Sequence, residues 1–242
     1  MSAQTTNLDE LVRDCHTLLY KKKGAGYNKI VILTETAMDG MNMLREECRD
    51  IEKNFGRFYE FPALLKGYYL NNNMIVVTGY TLPATFQPIN SERELEKVLK
   101  KGTEPDCILV STNNKHYIKI SDSYVARAWA EALKDGNEIV GLDHVHPSSP
   151  VPSPKDLKFV ASGKIQEGTK NRILIVQSGS SEAYEAYWVN PEHINKIRNI
   201  LDMITLKEKG IMMDLFSPVK KTSDKNEIEY ILRQAYTLNQ LR

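Results

Sequence analysis

The chain has 242 residues, 41% of them apolar and 26% charged, a length that supports one sizeable domain with extensions and a core that needs no disulfides. Its 32 Lys and Arg balance 31 Asp and Glu for a formal net charge of +1, which argues against a nucleic-acid partner. Cys15, Cys48 and Cys107 lie far apart, the start "MSAQTTNLDELVRD" is polar and acidic, and no apolar run approaches the ~18 residues of a spanning helix, so a reducing cytoplasm without export or membrane anchoring is expected.

Residues 8–20, "LDELVRDCHTLLY", set Leu8, Leu11, Val12, Cys15, Leu18 and Leu19 at helical spacing with Asn7 as cap, and "KKKGAGYN" ends that helix. "KIVILT" then reads as a strand, and Thr34 or Thr36 caps a helix to about Asn54 whose apolar side includes Met38, Met41, Met43, Leu44 and Ile51. "FYEFPALLKGYYLNNNMIVVTGYTLP" predicts a hairpin turning at the asparagines 71–73 and closed by Pro83. Residues 86–121 are less regular: "SERELEKVLKKG" is a serine-capped helix, and "DCILVSTNNKHYIKI" a second hairpin turning at Asn113 and Asn114. "SYVARAWAEALKDG" is a helix stopped at Gly136, and "NEIVGLDHVHP" an apolar strand. A Pro/Ser loop and a helix opening near Pro154 follow, then strands in "NRILIVQSG" and "EAYEAYWVN". From residue 191 two helices divided by "MDLFSPVKKTSDKN" are expected, serving for packing or as a homodimer surface.

Chemistry concentrates in "GLDHVHPSSPVPSPKDLKF". Alternate strand residues share a face, so His144 and His146 project together while Val145 turns inward. In "SPKD", Ser153 and Asp156 fall at one helix start, from which Asp156 can turn back toward the histidines as an oxygen ligand. Two His and one carboxylate with an open fourth position form a catalytic zinc set that activates water. The plain alternative is two strand-end histidines beside a solvated helix-start carboxylate.

"EIVGLDHVHPSSPVPSPKD" resembles the signature of the JAMM, or MPN-plus, metalloproteases: an apolar strand, HxHP, a short loop, then SxxD. Upstream, "EFPALLKG" is similar to the family's E-x-x-G-L-L-x-G strand, followed by a turn and the strand "NNNMIVVTG". Residues 147–152 separate His146 from Ser153, one residue fewer than the family usually has. The resemblance implies an α+β fold of the MPN, cytidine-deaminase-like kind, with a mixed sheet flanked by helices. The domain would span 29–190 with an insertion at 86–121, between helical extensions at 1–28 and 191–242. It implies that His144, His146 and Asp156 hold Zn2+, that Glu60 takes a proton from the attacking water, and that Ser153 supports the oxyanion. Glu104, in "EPDCILVS", competes for the Glu60 role, but "ALLKG" matches more positions.

The implied activity is an isopeptidase or protease acting after the C-terminal tail of a ubiquitin or ubiquitin-like protein. A non-catalytic MPN scaffold and a RadC-like protein of DNA metabolism are the alternatives. His16, His116 and His193 lack a ligand-spaced companion and are expected at the surface or in packing, and the three cysteines as packed thiols.

Overall fold

The computed structural model describes residues 15–21, 28–71, 74–100, 104–112, 116–150, 152–161, 172–189 and 220–222. Strands β1 (Cys15–Lys21) and β2 (Asn28–Thr34) lead into helix α1 (Glu35–Phe55), followed by the hairpin β3 (Pro62–Asn71) and β4 (Met74–Thr81). Then come β5 (Phe86–Ile89), α2 (Glu92–Lys100), β6 (Cys107–Ser111), β7 (His116–Ile120) and α3 (Asp122–Lys134). Strand β8 (Glu138–His146), α4 (Pro154–Ala161), β9 (Arg172–Ser178), β10 (Tyr184–Val189) and β11 (Lys220–Thr222) complete the described elements. Among them, eight strands form one mixed sheet in the order β10-β9-β8-β3-β4-β2-β1-β11, and β5-β6-β7 form a second sheet. The class is α+β, as expected, and no described helix is long and apolar enough to cross a membrane.

Helices cover both faces of the central strands, which is why β9 reads as an unbroken buried run rather than an alternating one. Ile173 and Ile175 face α1 with Ala37 and Met41, whereas Leu174 and Val176 face α3 and α4 with Ala128 and Val160. Thr34 caps α1 by accepting from the Ala37 amide at 3.2 Å. Between β8 and β9 the backbones approach so closely at Gly141 that a Cβ there would stand 1.9 Å from the Ile173 carbonyl oxygen. That approach seats the strand that ends in the two histidines.

The helix expected over 8–20 is not what its described portion forms. Cys15–Lys21 is a strand, paired antiparallel with β2 from Cys15↔Thr34 to Lys21↔Asn28 and flanked by β11 on its other edge. Apolar residues at 15, 18 and 19 fit a helix face, but the adjacent apolar strand offers partners for the backbone of all of "CHTLLYK", and tertiary pairing overrides the short local pattern. His16 therefore belongs to a strand of the main sheet. Residues 8–14, His193 and the expected C-terminal helices lie outside the described residues.

The 86–121 segment carries its expected helix and hairpin plus a strand, β5, that pairs parallel with β6. Cys107 and Leu109 on one face of β6 pack with Leu44, Cys48, Ile51 and Val145 of the main core, and Ile108 and Val110 on the other pack under Leu95 and Val98 of α2.

Candidate metal centre

His144 and His146 end β8 on the face toward α3 and α4, while Val145 between them is fully buried in the core under α1, as the strand period requires. The two rings meet edge to face, and their Nε2 atoms lie 2.8 Å apart. Asp156 reaches them from the first turn of α4: its Oδ2 stands 3.5 Å from His144 Nε2 and 3.6 Å from His146 Nε2. Glu60 approaches from the segment before β3, with Oε1 3.9 Å from His146 Nε2. Glu60, His144 and His146 form a group in which one ligand atom from each lies within 4.8 Å of the others. Four of the five residues expected from the sequence thus converge, and the fifth, Ser153, adjoins Asp156.

A reciprocal cap holds Asp156. The Ser153 amide donates to Asp156 Oδ2 at 2.6 Å, and the Asp156 amide donates to Ser153 Oγ at 3.3 Å, the pattern of a capping box with Asp in the Glu position. The loop before it is pinned at Ser148, whose carbonyl accepts from Ser178 Oγ at 2.7 Å, and the Gly179 amide donates to the His146 carbonyl at 2.8 Å. The end of β9 thereby anchors the short 147–152 loop.

Electrostatics divide the acids. Burial alone would raise Asp156, but the two imidazoles beside it and its hydrogen bond with Ser153 hold its carboxyl well below the usual carboxylate range. Burial dominates at Glu60 and raises its carboxyl, with His146 and His144 pulling partway back. Burial works against charge on His146, yet its contact with Asp156 and the field of Glu60 raise it above an ordinary histidine. Glu104, the competing glutamate, is exposed and paired with Lys119 on β7.

The spacing of the group could hold a metal ion, and zinc gives a measure of the fit. Zinc–nitrogen and zinc–oxygen bonds of about 2.0–2.1 Å imply neighbouring tetrahedral ligands about 3.3 Å apart. The two His–Asp separations of 3.5 and 3.6 Å come close to that edge, and the His–His separation of 2.8 Å needs only a small outward rotation of the rings. Glu60, at 3.9 Å from His146 Nε2, belongs to the same group of possible ligands.

Other expectations resolve simply. His116, exposed on β7, has its Nδ1 3.1 Å from the Oγ of buried Ser111 across the β6–β7 ladder, and Cys48 and Cys107 are buried free thiols. The sequence reading passed over Asp143, a buried acid between the apolar residues of β8, although its place in "IVGLDHVH" was a visible signal. It also passed over the serines 148, 178 and 180 that hold the loop.

No family model matches the chain, and no curated protein matches it. Among solved structures, the solution structure of a protein from Salinibacter ruber (strain DSM 13855) aligns with 66% of this chain and 82% of its own, at 18% identity and a TM-score of 0.37.

Proposed function

We propose that the chain is a zinc-dependent hydrolase of the JAMM type, with an MPN-like catalytic domain, that cleaves the amide or isopeptide bond after the C-terminal tail of a ubiquitin or ubiquitin-like protein. The observation that carries this reading is the convergence of His144, His146 and Asp156 from β8 and α4, with Glu60 facing them from before β3. His144 Nε2, His146 Nε2 and Asp156 Oδ2 would hold the ion. Zinc, when bound, supplies acidification of a water to a pKa near 7 and polarisation of the scissile carbonyl.

Glu60 would take a proton from the attacking water on its carboxylate as the carbonyl carbon gains the oxygen. It then gives the proton to the nitrogen as the C–N bond breaks, so the amine leaves neutral and no acyl-enzyme forms. Its place in the group beside His146 suits a carboxylate that must both accept and return a proton. Ser153 Oγ already accepts from the Asp156 amide, which leaves its O–H to donate to the oxyanion. The ubiquitin-like substrate class rests on the combined motif likeness, and the 86–121 insertion is its candidate selector.

The test is cleavage of a panel of ubiquitin and ubiquitin-like C-terminal conjugates by the zinc-loaded chain. Hydrolysis of at least one conjugate, abolished in Glu60→Gln, is expected. Metal-loaded protein inert on every conjugate would favour a non-catalytic MPN scaffold.

A further inference from the structure

Behind the histidines, on the face of β8 toward α1, lies a polar cluster that hydrolysis does not use. Asp143 is fully buried, and its Oδ2 accepts from Tyr80 Oη on β4 at 2.8 Å and from Gln177 Nε2 on β9 at 2.8 Å. Gln177 Nε2 also donates to the Met41 carbonyl of α1 at 3.2 Å. The approach of Tyr80 depends on Gly40 of α1, where a Cβ would stand 2.8 Å from the Tyr80 ring. The neighbouring amide of His144 also bears on the Asp143 carboxyl. Three elements are thus tied to the residue that immediately precedes the first histidine.

This concentration of buried polarity needs a reason. An apolar residue at 143 would pack against α1 without the desolvation that a buried carboxyl incurs. Hydrophobic contacts, however, tolerate small sliding of a strand, whereas two directed hydrogen bonds to one oxygen do not. The β9 ladder pairs His144, Val145 and His146 with Val176, Gln177 and Ser178, but on its β3 side the end of β8 is weakly held. Opposite His144 the neighbouring strand offers Pro62, which has no N–H to pair, and Val145 reaches the Phe61 carbonyl only at 3.4 Å.

We propose that Asp143 is the positioning residue of the candidate metal centre: the hydrogen bonds from Tyr80 and Gln177 fix the end of β8 so that His144 and His146 present their Nε2 atoms to one ion. The inference rests on the metal-centre reading above and adds a support on the opposite face of the strand. The acceptor oxygen, not the charge, carries the role, so asparagine with its amide oxygen in the same place preserves it.

The test is zinc affinity by competition with a chromogenic chelator, together with thermal unfolding of the metal-free proteins. Residues that orient metal ligands typically carry 10–100-fold in metal affinity. Asp143→Ala is expected to weaken zinc binding by ~10-fold or more, with Asp143→Asn within ~3-fold of wild type. Tyr80→Phe, which keeps the ring against Gly40 and removes one hydrogen bond, is expected to fold and to weaken zinc several-fold should the alanine variant be insoluble. Zinc binding of wild-type strength in Asp143→Ala, or in Tyr80→Phe where that variant stands in, would overturn the inference and leave the metal-centre reading intact, even with a lowered melting temperature. A wild-type chain that binds no zinc would overturn both.

Discussion

Glu60 and Glu104 each precede an apolar strand, and sequence pattern alone weighs one against the other; their surroundings differ in what proton transfer needs. Glu60 is largely buried, raised by that burial and 3.9 Å from His146, whereas Glu104 is exposed and held by Lys119. Glu60→Gln is therefore expected to keep zinc at wild-type stoichiometry while lowering the hydrolysis rate by ~10²-fold or more, and Glu104→Gln to change neither, read by metal content and single-turnover cleavage. Strand and helix periods place 144, 146, 153 and 156 by local rules, but only the family resemblance made them a candidate zinc set. Asp143 was less legible, since its partners Tyr80 and Gln177 lie 63 and 34 positions away and no local pattern ties them to it.

At the scale of elements, the start of α4 combines structure with chemistry. Ser153 caps the helix and its amide holds the same Asp156 oxygen that faces both histidines. Ser153→Ala should lose about 1 kcal/mol of stability in urea unfolding, the ordinary cost of a lost cap. Strand β8 is constrained differently, by contact. With the Ile173 carbonyl 1.9 Å from where a Cβ would lie, Gly141→Ala must push β8 and β9 apart at the centre of the sheet, and a loss above ~3 kcal/mol is expected in the same measurement. Strand β1 marks the limit of local reading: "CHTLLYK" carries apolar residues compatible with either period, and only the long-range partner β2 decides for the strand. Strand β5, four residues around Pro88, was likewise invisible without its parallel partner β6.

Across the whole molecule, the 86–121 segment is stitched to the body rather than hung from it. Asp106 accepts from the Ala84 and Thr85 amides at 2.6 and 3.1 Å and from both Arg127 terminal nitrogens of α3, while the Ser121 amide donates to its carbonyl at 2.9 Å. Both ends of the insertion thus meet at one residue. Arg127 and the two amides hold the Asp106 carboxyl below the usual carboxylate range against the opposing effect of burial. Because the folded value is depressed, the stabilisation is present above the unfolded value of about 3.9 and fades as pH falls through the folded one. Asp106→Asn should therefore cost about 2 kcal/mol at pH 7, with the gap to wild type narrowing below about pH 4 in urea titrations. The stitching brings residues 84, 106, 121 and 127 together from separate elements, and sequence spacing carried no sign of it. The central claim is that these elements assemble a metal centre, and the most direct measurement is the zinc content of the purified, untagged chain beside its His144→Ala variant. About one zinc per chain, lost in the variant, is the expected result; no zinc in either protein after reconstitution would contradict the account.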